Sequence, residues 1–381
     1  MKRKFLGMTL AMVLAISCLA GCAEAPEISD SGEIPHAKSN LEGKIQNIVE
    51  GEQTTDRSGS QYDGVIGTQE NGIKISAWIP AVPKQAGGLT LRESDRLTKE
   101  ALREFIGSDI GNITDKTEEL LAQQEDMEAN QSGEDTARYS VFGDGSLLAY
   151  TDGNREACFA GNTSVTYKDV ELWEKYGEIY KTAPEINIPL NEKEASGFSA
   201  GEAEKMLLEK LAIIGITEIN LYRIRYYEEK KTAFYELCFT PSHEGIGVAH
   251  EFGQVSLGEV FPDGRAWIGE DGIAQLALDN YCGRIAGQET EEILDFSKVE
   301  EILEEYLRQN TLQCSPQVEM TEVEFEYYPM FHEPQFRLIP AWHIYLPLER
   351  RNELVQEEVM EQEAAWNIYI NAVTGDILKV E

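Results

Sequence analysis

Three stretches of the chain carry apolar residues at helical spacing. Each opens with a hydroxyl residue followed three positions later by glutamate: Thr90-Leu91-Arg92-Glu93, Ser199-Ala200-Gly201-Glu202 and Ser297-Lys298-Val299-Glu300. In such a box the hydroxyl accepts from an otherwise free amide of the first turn, and the carboxylate returns to the amide of the capping residue. The spacing predicts a helix over 93–106. A second starts at 200, with Ala203, Met206, Leu207 and Leu211 on one face. A third follows 297, with Val299, Ile302, Leu303, Tyr306 and Leu307 inward and Glu300, Glu301, Glu304 and Glu305 outward. The recurrence at intervals of about 100 residues predicts three related units.

After each helix the period changes from 3.6 to 2. Val323, Phe325 and Tyr327 alternate with Glu322, Glu324 and Glu326, as in an antiparallel strand with one face buried. Further strands are expected over 336–346, 366–372 and 377–380, the last two joined by a turn at Asn371-Ala372-Val373-Thr374-Gly375-Asp376. The middle unit repeats the theme at 219–227 and 232–239, then through 253–268 with Pro262-Asp263-Gly264 as a turn. The first unit is less regular, with a charged stretch over 114–138 and strands over 139–150 split at Gly143-Asp144-Gly145. The expected fold class is therefore α+β, as tandem units of an amphipathic helix packed on an antiparallel sheet. The units span 66–190, 191–290 and 291–381.

The chain's two ends differ in composition. Residues 23–61 are rich in Glu, Ser, Gly, Asp and Thr and read as an acidic tether, assigned to 22–65. About 40 such residues have a typical end-to-end distance of about 35 Å. Ahead of the tether, Lys2, Arg3 and Lys4 precede an apolar run over 5–21, the form of an export signal too short for a comfortable permanent span. The run ends in Leu19-Ala20-Gly21-Cys22, which resembles the bacterial lipobox. Small side chains at Ala20 and Gly21 admit an extended backbone to a peptidase cleft, and Cys22 supplies a thiol for diacylglyceryl attachment. The expected location is the outer face of the cell membrane, anchored through acylated Cys22.

Charge narrows the partners. There are 33 basic and 68 acidic residues, a formal net charge of −35. Loss of Lys2, Arg3 and Lys4 with the signal leaves 30 basic against 68 acidic residues, or −38 over 360 residues. Such a surface repels phosphate, so nucleic acid is excluded as an expected partner. Cys158, Cys238, Cys282 and Cys314 match no CxxC spacing, and their pairing stays open.

The C-terminal pattern Ile339-Pro340-Ala341-Trp342-His343-Ile344-Tyr345, followed by Trp366-Asn367-Ile368-Tyr369-Ile370-Asn371-Ala372-Val373-Thr374-Gly375-Asp376-Ile377, resembles the closing strands of PepSY-like domains. The whole arrangement resembles uncharacterised Clostridia-type lipoproteins of Gram-positive bacteria. The resemblance implies α+β modules for inhibition, regulation or protein contact, without catalytic residues to carry over. Trp342 and Trp366 share a period with aliphatic neighbours and read as core, and Gly375 as a turn glycine. The acidic excursion over 349–363 reads as a solvated charge run or a functional loop.

Catalytic and metal motifs are sparse. His243-Glu244 and His250-Glu251 place the histidines seven apart, not at the i, i+4 spacing of H-E-x-x-H, in a stretch that reads as a loop. His343 sits between Trp342 and Ile344 and reads as a satisfied, partly buried histidine. Asp144-Gly145, Asp152-Gly153, Asp263-Gly264 and Asp271-Gly272 read as turns rather than calcium loops. No cofactor or metal is expected. The expected function is non-enzymatic binding or regulation of a protein or peptide partner at the cell surface. The alternatives are a solute-binding lipoprotein of a transporter and an exported hydrolase.

Overall fold

The computed structural model describes residues 59–68, 72–92, 99–107, 112–122, 147–160, 164–190, 198–230, 232–250, 261–280, 284–310, 319–332, 335–360 and 365–380. The lipobox residues Leu19, Ala20, Gly21 and Cys22 lie outside them. Strands dominate the fold, and they form extended antiparallel sheets rather than tandem helix-on-sheet units.

The largest sheet contains ten strands. Its central order runs from Leu147–Thr151 through Arg155–Ala160, Ser164–Asp169, Gly272–Asp279, Asp263–Gly269 and Thr232–His243 to Ile219–Glu229. Ser164–Asp169 pairs directly with Gly272–Asp279, so the division expected at 190/191 falls within one sheet. Three helices flank it: α1 (Lys99–Ile106), α2 (Val170–Thr182) and α3 (Ala200–Ala212). Helix α3 seats Ala203, Leu207 and Leu211 against Leu237, Phe239, Ala266, Ile268 and Leu276. Helix α2 covers the opposite face through Tyr176 and Ile179, which meet Tyr227, Phe234 and Ala274. Fully burying an aliphatic side chain of this size contributes about 1.5–3 kcal/mol before entropy is counted.

The second group of strands joins the two ends of the described chain. Gly59–Gly67 pairs with Gly72–Pro80, and Glu319–Met320 adds to the latter in parallel. Leu89–Arg92 pairs with both Arg284–Gln288 and Gln335–Tyr345. Gln335–Tyr345 is flanked along its length by Glu322–His332 and over Ala341–Tyr345 by Asn367–Asn371, followed by Ile377–Val380. Helix α4 (Phe296–Gln309) buries Phe296, Val299, Leu303 and Leu307 in a core that also holds Ile73, Ile75, Trp342, Ile344 and Ile368. The Trp342 indole donates to the Leu294 carbonyl at 2.9 Å, so a large apolar ring is buried with its polar atom satisfied.

The three boxes that predict tandem units behave differently. Ser199 is a true capping box: its hydroxyl accepts from Glu202 N at 3.2 Å, and its amide donates to Glu202 Oε2 at 2.7 Å. Thr90, Leu91 and Arg92 instead lie in a strand, because pairing on both edges outweighs the local helix signal. At the third, Asp295 is the cap and accepts from Lys298 N at 3.0 Å, while Ser297 donates to Asp295. The regular interval thus does not mark a repeat. The excursion over 349–363 contains helix α5 (Leu348–Gln356), with Leu354 buried. Among the described residues, strand pairing starts with Gly59–Gly67, which overlaps the stretch whose composition reads as tether.

Candidate functional site

The period-2 pattern of Glu322–His332 sends Val323 and Tyr327 into the α4 core and turns Glu322, Glu324 and Glu326 to the other face. Sequence alone leaves that second face to solvent. Here Glu326 is only 2% exposed and His343 is fully buried, while Glu324 remains half-buried. Register explains the meeting: Glu324 stands opposite His343, His343 opposite Tyr369, and Tyr345 opposite Asn367.

Two rings enclose the imidazole of His343. Tyr345 stacks on it at 4.0 Å between centroids and Tyr369 at 3.9 Å. Its Nε2 lies 2.8 Å from Asn367 Oδ1, an oxygen that only accepts, so Nε2 carries the hydrogen. Nδ1 is then a lone pair, and it points at Glu326 Oε1, 2.7 Å away. Tyr345 donates to Glu324 Oε1 at 3.0 Å. One ligand atom from each of Glu324, Glu326 and His343 falls within 4.8 Å of the others.

Burial sets the protonation. Desolvation pushes the Glu326 carboxyl up to about 8. Burial and then the neighbouring Glu326 raise Glu324 to about 7. Desolvation lowers His343 to about 3. At neutral pH the pair is therefore a neutral imidazole and a protonated carboxyl, with the Glu326 proton shared toward Nδ1. Tyr369, whose ring shields this contact, is held well above the ordinary tyrosine value by burial.

A second buried carboxylate has a contrasting environment. Glu236, fully buried in the ten-stranded sheet, meets Arg225 Nη1 at 2.9 Å and Arg265 Nε at 3.6 Å. It also accepts from the Tyr227 hydroxyl and the Trp267 indole, both at 3.3 Å. Arg225 reaches on to Glu185 at 2.9 Å. This is a satisfied ion network with α2 packed beside it.

The other residues singled out from sequence are dispersed, except that His250 lies near enough to His343 to feel its charge. His243 ends the strand Thr232–His243, edge-on to Tyr327 at 6.3 Å, and burial lowers its pKa. His250 stacks on Tyr222 at 3.9 Å and is pushed down to about 3 by burial. Asp152-Gly153 is a turn, with Asp152 Oδ1 accepting from Asn154 N and Arg155 N. Asp263-Gly264 is not a turn but the start of a strand, where a Cβ on Gly264 would stand 2.6 Å from the Phe239 ring. Asp271-Gly272 closes the hairpin between Asp263–Gly269 and Gly272–Asp279. Cys238 is buried, with its Sγ 3.8 Å from Arg223 Nη2. Asp144-Gly145, Glu251, Cys282 and Cys314 lie outside the described residues. Gly375 adopts φ +80°, the turn conformation expected of it.

Sequence reasoning reads His343 as satisfied but misses its partners. The signal was present in Glu-x-Glu opposite a strand histidine; what it lacked was register. Among the described residues no helix is long and apolar enough to cross a membrane. No family model matches the chain, and no curated protein matches it. A solved structure, an uncharacterised protein from Eubacterium rectale, is similar with a TM-score of 0.47 at 14% identity, over 82% of this chain and 92% of that one.

Proposed function

We propose that the chain is an exported, lipid-anchored protein, not an enzyme, whose folded part binds or regulates a protein or peptide partner at the outer face of the cell membrane. The observation that carries this reading is Leu19-Ala20-Gly21-Cys22, placed directly after a basic n-region and an apolar run. The resemblance of the closing strands to PepSY-like domains supports the contact role. The enclosure of His343 between two tyrosine rings, with a partner at each nitrogen, supports the non-catalytic reading, since a general base needs access to a substrate proton.

Replacing Cys22 tests the anchor. A Cys22→Ser chain keeps its signal and takes up no labelled fatty acid, whereas the parent is processed and labelled; processing and labelling of the variant defeats the proposal. Crosslinking on intact cells then tests the partner, with a Cys22-anchored unrelated domain as control. Enrichment of one membrane or wall protein over that control is expected, and it weakens with added salt because the chain is strongly acidic.

A further inference from the structure

We propose that Glu324, Glu326 and His343 form a binding site for one first-row divalent cation, with a carboxylate oxygen from each glutamate and Nδ1 of the histidine as ligands. The three atoms come from two adjacent strands in fixed register and lie within 4.8 Å of one another. An ion with bonds of about 2.0–2.2 Å holds its ligands about 3–4 Å apart, so adjustments of under about 1 Å close the set.

Three further features point to a cation rather than to a simple buried pair. Glu326 is 2% exposed, and its carboxyl meets the Tyr369 hydroxyl and His343 Nδ1 but no lysine or arginine among the described residues. A buried carboxylate without a cationic partner is costly unless a proton or a metal ion accompanies it. Next, Asn367 holds Nε2–H, which presents Nδ1 as a lone pair toward the two carboxylates. That is the outer support a metal-binding histidine requires, and Tyr345 restrains Glu324 in the same way. Finally, the charge is one-sided: Glu322, Glu324 and Glu326 act on this face, against Lys379 as the cation felt at His343. Glu324, half-buried, gives the ion an entry path.

Two carboxylates and an imidazole are a mixed oxygen and nitrogen set, suited to zinc or manganese rather than to calcium or copper(I). Because the ligands tie Glu322–His332 to Gln335–Tyr345, with Asn367–Asn371 behind them, the ion's role is to brace the C-terminal sheet. The same face lies close to Ala249 and Phe261, which stand just outside strands of the ten-stranded sheet.

The test uses the full-length chain in detergent, stripped with chelator and dialysed against buffered Zn2+ or Mn2+, with bound metal counted by mass spectrometry and melting followed by circular dichroism. One equivalent of either metal and a raised melting temperature are expected. Glu324→Gln, at a half-buried position that tolerates the change, should melt like the stripped parent and bind at least about 10-fold more weakly, and Asn367→Ala about 10–100-fold more weakly. Retention of neither metal overturns the site. So does binding that persists in both Glu324→Gln and Glu326→Gln, which would place the ion elsewhere on an acidic surface.

Discussion

Glu236 and Glu326 are buried to almost the same degree, at 0% and 2% exposure, but they are held in opposite ways. Glu236 is surrounded by donors: two guanidiniums, a phenol and an indole. Glu326 faces an imidazole lone pair and a second carboxylate, with the Tyr369 hydroxyl as its neutral donor and no guanidinium beside it among the described residues. The first environment stabilises a charge, while the second accepts one only if a proton or a metal comes with it. Burial alone therefore does not decide what a carboxylate does in a sheet; the donors on the neighbouring strands do.

The same substitution at both positions should break the symmetry most sharply. Glu236→Gln leaves Arg225, 16% exposed and still paired with Glu185, and Arg265, 45% exposed, facing a neutral amide. A loss of about 2 kcal/mol in chemical denaturation is expected, because charge-assisted hydrogen bonds are lost while Glu185 and solvent keep part of the compensation. A loss under about 1 kcal/mol would show that Glu185 and solvent compensate almost fully.

Asp279 offers an intermediate case. It shares the ten-stranded sheet with Glu236 but has Ser164 and Asp263 as its neighbours, and burial raises it to about 6 from an ordinary 3.8. The folded state thus holds a proton that the unfolded chain releases between about pH 4 and 6, so this residue costs stability above pH 6 and nothing below about pH 4. Asp279→Asn should stabilise the fold by about 1 kcal/mol at pH 7.5, discounted for its partial exposure, and be neutral near pH 3.5. A pH-independent effect would assign the change to packing.

The smallest effect belongs to Glu326→Gln in chelator-stripped protein. If the carboxyl is already neutral there, the amide replaces one uncharged donor by another, and the change should stay under about 1 kcal/mol. A loss matching that of Glu236→Gln would mean Glu326 is ionised against a charged His343. Comparing the two glutamine variants in one denaturation series separates these states.

How much of this was legible in the sequence follows the range of each interaction. Local signals survive: the Ser199 box, the alternation at Val323, Phe325 and Tyr327, and the Gly375 turn are decided by neighbours within a few residues. Thr90 fails because its strand partners sit near 288 and 337, and distant hydrogen bonds outweigh a local cap. Helix α2 is absent from the predicted elements although Asp169 caps it through Leu172 N at 3.1 Å and Leu172, Tyr176 and Ile179 lie on one face; that apolar stripe is short and carries no hydroxyl–glutamate box ahead of it. The Glu326 cluster was invisible for a different reason. A period-2 pattern identifies two faces of a strand, but only tertiary packing determines whether the polar face is also covered.

The pairing of the first described strands with the last has a consequence in time. Lys74 meets Glu319 across a separation of 245 residues, and Leu89–Arg92 waits for Gln335–Tyr345. As the chain is synthesised from its N-terminus, Gly59–Pro80 emerges with apolar residues such as Ile73 and Ile75 long before their partners arrive. The intervening ten-stranded sheet can assemble meanwhile, since its partners are nearer in sequence. Closure of the second core is thus the late and slow event, governed by the loop that must be spanned. Until then the early strands are an exposed edge, the state in which this protein is most open to aggregation or to capture by a folding factor.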